Sequence, residues 1–134
     1  MLKIGDLMII ILIALLGLCV SVYAYTIERK LQNNPNYHPA CNLSDRISCT
    51  KPILSSYGNI FYFSNAVMGI AYYITVIILA VLNLWNPLLI LSALSCLASL
   101  WLAYLLISKI KALCILCISI YIINFLILAL AIAQ

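Results

Sequence analysis

The side chains with the widest chemical range in this 134-residue chain are its six cysteines, Cys19, Cys41, Cys49, Cys96, Cys114 and Cys117. Their surroundings divide them. Cys114-Ile-Leu-Cys117 is a C-x-x-C pair at the start of an apolar run. On a helix that spacing puts both sulfurs on one face, and the positive end of the helix dipole favours a thiolate. Lys111 adds a positive charge close by. Such conditions lower a thiol pKa and make the pair redox-active. Cys41 and Cys49 form a second pair in a polar segment. Cys19 and Cys96 sit midway along apolar stretches. They read as small buried residues, because buried thiols without an activating charge are inert.

Other uses of four cysteines fit less well. Structural zinc sites favour C-x2-4-C spacing in both halves, and Cys41-x7-Cys49 departs from it. Haem attachment needs C-x-x-C-H, and residue 118 is Ile. Two static disulfides stay open. A disulfide at C-x-x-C spacing closes a strained loop, however, more typical of a labile pair than of a staple. Dithiol/disulfide chemistry is the favoured reading. Tyr121 and Asn124 continue along the face of Cys117. A polar stripe on an apolar helix is costly, and it points toward a bundle interior or a ligand cavity.

The elements that position these thiols follow from composition. Hydrophobic residues make up 67% of the chain and charged ones 7%, with a mean hydropathy of +1.21. A soluble domain carries about 45–50% apolar and about 25% charged residues. A soluble enzyme and a disordered chain are both excluded. The net charge of +4 forms no Lys/Arg block, so nucleic acid is not an expected partner. Membrane lipid is. A spanning helix needs about 20 mostly apolar residues. Leu7 to Ile27 is free of charge and reads as the first span. Pro52 to Ser108 also lacks any charge, which leaves room for two spans, Asn65 to Leu84 and Pro87 to Ile107. Between them Pro87 disfavours helix at Asn86, and Trp85 suits the headgroup level. Ala112 to Ala133 is the fourth span. The expected fold is all-α: an integral membrane four-helix bundle, one domain over residues 1–134.

The first span reads as uncleaved, because it is longer than a signal-peptide core and no small-x-small site follows it. One long segment, from about Glu28 to about Ser64, joins spans one and two. Its second half, Ile53 to Phe63, is apolar and aromatic, so this is a long loop or contains a short interfacial helix. Internal repeats, a Gly-rich phosphate loop and a Ser-His-Asp arrangement are absent from the sequence. With four spans, the first and third loops emerge on the same side. Cys41, Cys49, Cys114 and Cys117 therefore meet at one membrane surface.

At these residues the chain resembles the vitamin K epoxide reductase family. The resemblance is carried by Cys41-Asn-Leu-Ser-Asp-Arg-Ile-Ser-Cys49, then Ser55, Ser64-Asn65-Ala-Val-Met-Gly69, and Cys114-x-x-Cys117 with Tyr121. It runs from the first span to the last and is similar to the stand-alone form, without a fused thioredoxin-like domain. It implies a bundle that holds a quinone, of the ubiquinone or menaquinone type, near Cys114 and Cys117, with Cys117 facing the ring. It implies a loop shuttle in which Cys41 meets a thioredoxin-like redox protein and Cys49 passes electrons to Cys114. Asn65 and Tyr121 match the family's contacts to the quinone carbonyls, and Ser55 a hydroxyl near the same site. Residue chemistry alone also offers an N-cap for Asn65 and an interface-belt aromatic for Tyr121.

The expected function is disulfide formation in a partner, driven by a membrane quinone. Vitamin K epoxide or quinone reduction proper is the alternative within chemistry, and a metal-binding membrane protein without turnover is the alternative outside it. Relatives in the family mostly hold their cysteines outside the cytoplasm. Here six basic residues, Arg29, Lys30, Arg46, Lys51, Lys109 and Lys111, flank the cysteine side, against Lys3 alone on the other. The positive-inside rule then places the thiols toward the cytoplasm.

Overall fold

The structure is a computed structural model that describes residues 4–34, 36–38, 47, 59–60, 63–110 and 114–133. Four helices carry nearly all of it: α1 (Ile4–Asn33), α2 (Asn65–Val81), α3 (Trp85–Leu105) and α4 (Ile115–Ile132). A minimal hairpin, β1 (Asn59–Ile60) with β2 (Phe63–Ser64), leads into α2. Its antiparallel register pairs Asn59 with Ser64 and Ile60 with Phe63. This part of the connection is therefore loop-like rather than helical. α1, α3 and α4 are long and apolar enough to cross a membrane, and α2 is a shorter apolar helix. The protein is a multi-pass membrane bundle.

One cluster shows how the helices run. Ile10 and Ala14 of α1 and Leu88 of α3 pack with Tyr73, Val76 and Ala80 of α2 and with Ile123 and Ile127 of α4. The early halves of α1 and α3 are thus level with the late halves of α2 and α4. Directions alternate, so the end of α1, the start of α2, the end of α3 and the start of α4 share one end of the bundle. α1 lies against α2 and α4, and α3 lies against α4.

α1 extends beyond the charge-free span at both ends and reaches Asn33. Asp6 in its first turn and Lys30 in its last complement the dipole. Its buried face is a row of Ile10, Ala14, Gly17 and Ser21, at helical spacing. Small residues let helix backbones approach closely, which substitutes in lipid for the missing hydrophobic drive. At Gly17 the approach is extreme. A Cβ there would lie 2.5 Å from Cε1 and Cζ of Tyr73. A Cβ at Gly69 would meet the Ser21 Oγ at 2.7 Å, a group that can rotate aside.

This geometry sets an expected result. Gly17→Ala should destabilise the bundle, because overpacking costs about 1–3 kcal/mol and outweighs the roughly 1 kcal/mol gained in helix propensity. Gly5→Ala, with nothing within 4 Å of the new Cβ, should be neutral or stabilising. Thermal unfolding of both variants in the same detergent checks the contrast. Equal melting temperatures would show that Tyr73 can move freely.

The α2–α3 turn is one residue of left-handed backbone, Asn83, at φ 56°. Leu84 N–H donates to Leu79 O at 3.0 Å and Asn83 N–H to Ala80 O at 3.1 Å, the paired bonds that close a Schellman-type helix end. α3 begins at Trp85, two residues before the position expected from Pro87. Proline in the first helical turn forfeits no hydrogen bond, since those N–H groups have no partner inside the helix. Trp101 and Tyr104 stack at 5.8 Å near the other end of α3, both exposed on its outer face. Trp85 and this pair lie roughly 24–29 Å apart along the helix, a little short of the about 30 Å of a hydrocarbon core. Beyond Leu105 the chain widens into a π-helical turn, Leu106–Ile110.

Candidate redox site

Cys114 occupies the N-cap of α4 in an extended conformation, φ −114° and ψ 115°. Its Sγ accepts the backbone N–H of Cys117 at 3.3 Å, while its carbonyl accepts from Ile118 N–H at 2.9 Å. A sulfur here replaces the oxygen that usually caps a helix and faces the positive end of the dipole. Cys114 is buried against Leu106 of the π-helical turn, and Leu116, Cys117 and Tyr121 pack around them. Cys117 is half-buried, and both thiols are free. Tyr121, one turn further on, lies close enough to interact with both sulfurs. The expected trio of Cys114, Cys117 and Tyr121 is therefore together on one face.

Asn65 is the first residue of α2, at the same end of the bundle. Its side chain lies outside the described residues, as do Cys41, Cys49 and Ser55. Of the two remaining cysteines, Cys96 is buried and its Sγ points to Asn124 O at 3.4 Å. Cys19 is exposed on the outer face of α1, so among the protein's own side chains it is not a core residue.

The polar stripe below Cys117 ends inside the bundle. Asn124 is 6% exposed. Its Oδ1 accepts from the Tyr73 hydroxyl at 2.7 Å, and its Nδ2 donates to Ser99 Oγ at 2.8 Å. Ser99 in turn donates to Ser95 O at 2.8 Å. Tyr73 and Ser99 were not singled out by sequence. Serines at 92, 95 and 99 recur at helical spacing along α3, and that period was the available signal.

A helix-capping dithiol beside a tyrosine, at the end of a membrane bundle, is an arrangement suited to exchanging electrons with an apolar oxidant. A model of the vitamin K epoxide reductase family matches residues 8–132. The chain belongs to that family. Among curated relatives, the rat protein "Vitamin K epoxide reductase complex subunit 1" is 32% identical over 128 residues, covering 84% of this chain and 80% of the relative. The mouse protein of the same name is 30% identical over 128 residues, with the same coverage. Membership makes this vitamin K epoxide reductase homologue a membrane oxidoreductase. Its described C-x-x-C pair, at the start of the last helix, lies within the matched region.

Proposed function

We propose that the protein is a quinone-dependent thiol oxidase that regenerates a disulfide in a thioredoxin-like partner. A partner thiolate attacks the Cys41–Cys49 disulfide at Cys41, and the second partner thiol closes the partner's disulfide. The reduced loop pair then passes the two electrons on when the Cys49 thiolate attacks Cys114 of a Cys114–Cys117 disulfide. Exchange of this kind proceeds through mixed disulfides, so each bond formed replaces one broken. This releases Cys117 as a thiolate, and Cys41 then attacks Cys49 of the mixed disulfide, which re-forms the loop disulfide and frees Cys114 as the second thiol of the inner pair. In that reduced pair Cys117 faces the quinone. Two electrons and two protons leave the pair, the disulfide re-forms, and the quinone becomes a hydroquinone. Tyr121 supplies a hydroxyl beside the reacting sulfur for a quinone carbonyl, and Asn65 and Ser55 complete the polar contacts.

The observation that supports this most is the capping contact between Cys114 Sγ and the Cys117 N–H with Tyr121 alongside. It supports a pair, Cys114 buried and Cys117 half-buried, at a helix end that stabilises developing negative charge on sulfur. The names of the rat and mouse relatives favour a second reading, in which the same electrons reduce an epoxide. Purified protein with a reduced thioredoxin-like partner and either quinone or vitamin K epoxide separates the two. Hydroquinone and partner disulfide should appear in equal amounts. Absence of quinone consumption would overturn the reading.

The loop pair makes a further expectation. Cys41→Ala should bring partner-driven turnover to background and spare turnover with dithiothreitol, which reaches the inner pair directly. Equal loss with both reductants would remove Cys41 from the relay.

A further inference from the structure

We propose that Asn124 is a positioning residue that holds α4 at the rotation presenting Cys117 and Tyr121 to the quinone, with Tyr73 and Ser99 as its fixed partners. This rests on the reading of Cys114 and Cys117 given above. α4 reads Ile-Leu-Cys-Ile-Ser-Ile-Tyr-Ile-Ile-Asn-Phe-Leu-Ile-Leu-Ala-Leu-Ala-Ile, apolar on every side. Lipid tails are as apolar as these side chains, so burial alone sets no preferred rotation for such a helix. Asn124 sets one. It follows Cys117 by two turns and Tyr121 by about one, so all three project within about 60° of one another.

The hydrogen bonds have a direction that leaves little freedom. Tyr73 of α2 donates to the amide oxygen, the amide nitrogen donates to Ser99 of α3, and Ser99 donates to a main-chain carbonyl. Turning α4 by one residue, about 100°, would swing the amide away from both partners and leave them unpaired in an apolar interior. The fourth helix takes part through packing. Gly17 of α1 closes on the Tyr73 ring so tightly that even a methyl group there displaces it. All four helices are thereby referenced to one amide, seven residues from Cys117.

Site-resolved alkylation of the reduced protein tests this without quinone turnover. N-ethylmaleimide labelling of Cys117 is compared with that of Cys19, which is exposed on α1 and serves as the internal reference. Asn124→Leu should raise the Cys117-to-Cys19 ratio about fivefold or more. Tyr73→Phe and Gly17→Ala should move it in the same direction, and each keeps the Asn124 side chain. In turnover the same variants should raise the quinone KM. An unaltered ratio in both Asn124→Leu and Tyr73→Phe overturns the proposal. So does a parallel rise at both cysteines, the mark of general loosening. If Asn124→Leu does not fold, Tyr73→Phe and Gly17→Ala decide. If wild-type protein consumes no quinone, the functional reading falls, and the labelling ratio still decides the positioning role.

Discussion

Cys114→Ser and Cys117→Ser should each reduce quinone consumption to background, with the bundle intact. A single remaining thiol cannot cycle between dithiol and disulfide, and a hydroxyl is a far weaker nucleophile than a thiolate. The serine substitution is the informative one at position 114. Cys114 caps α4 by accepting an N–H through its side chain, and serine is among the best residues for that task. Cys114→Ser therefore keeps the cap, and loss of activity cannot be assigned to a frayed helix. Cys114→Ala, in contrast, also removes the side-chain cap, a loss worth about 0.5–2 kcal/mol for an oxygen acceptor and less for the weakly accepting sulfur. At Cys117 the capping donor is the main-chain N–H, which substitution leaves in place. Turnover measured beside thermal unfolding checks both variants. Activity above background in a folded Cys117→Ser protein would remove this pair from the electron path.

The span count, the alternation of directions and the face shared by Cys114, Cys117 and Tyr121 were legible in the sequence for simple reasons. Charge-free runs of membrane length have few structural alternatives, and i, i+3 and i+7 spacing follows from helix geometry. Pro87 disfavours helix at Asn86, which predicts a third span that begins at Pro87. The turn at Asn83 is closed upstream of it, so helix begins at Trp85 and proline falls in the permissive first turn. The Tyr73–Asn124–Ser99 contact was only half visible. Asn124 could be placed on an inward stripe, but partner choice depends on helix adjacency and on depth in the bundle. Those are set by close approaches such as Gly17 to Tyr73, which no single helix encodes. Cys41, Cys49, Ser55 and the Asn65 side chain lie outside the described residues, so their roles rest on spacing and family resemblance.

Alkaline phosphatase fused after Gln134 should be active if orientation follows the positive-inside rule, which would put the thiol end of the bundle in the cytoplasm and the C-terminus outside. The alternating helices fix Arg29 and Lys30 at the end of α1, and Lys109 beyond α3, on the same end as Cys114. In the sequence, Arg46 and Lys51 fall between α1 and α2, Lys111 falls between α3 and α4, and Lys3 alone among the basic residues precedes α1. Asp45 and Glu28 do little to offset this, because orientation follows Lys and Arg near the span ends rather than net charge. The resemblance to relatives with cysteines outside the cytoplasm pulls the other way, and the two expectations differ in their consequence. Thiols facing the cytosol would oxidise a cytosolic partner, which suits a cell that keeps disulfides in its cytoplasm, as some hyperthermophiles do. Thiols facing outward would serve secreted clients, and the basic loops would then be explained by the partner's surface. A fluorescent cytoplasmic reporter fused at the same C-terminus would establish the outward orientation and overturn the charge argument.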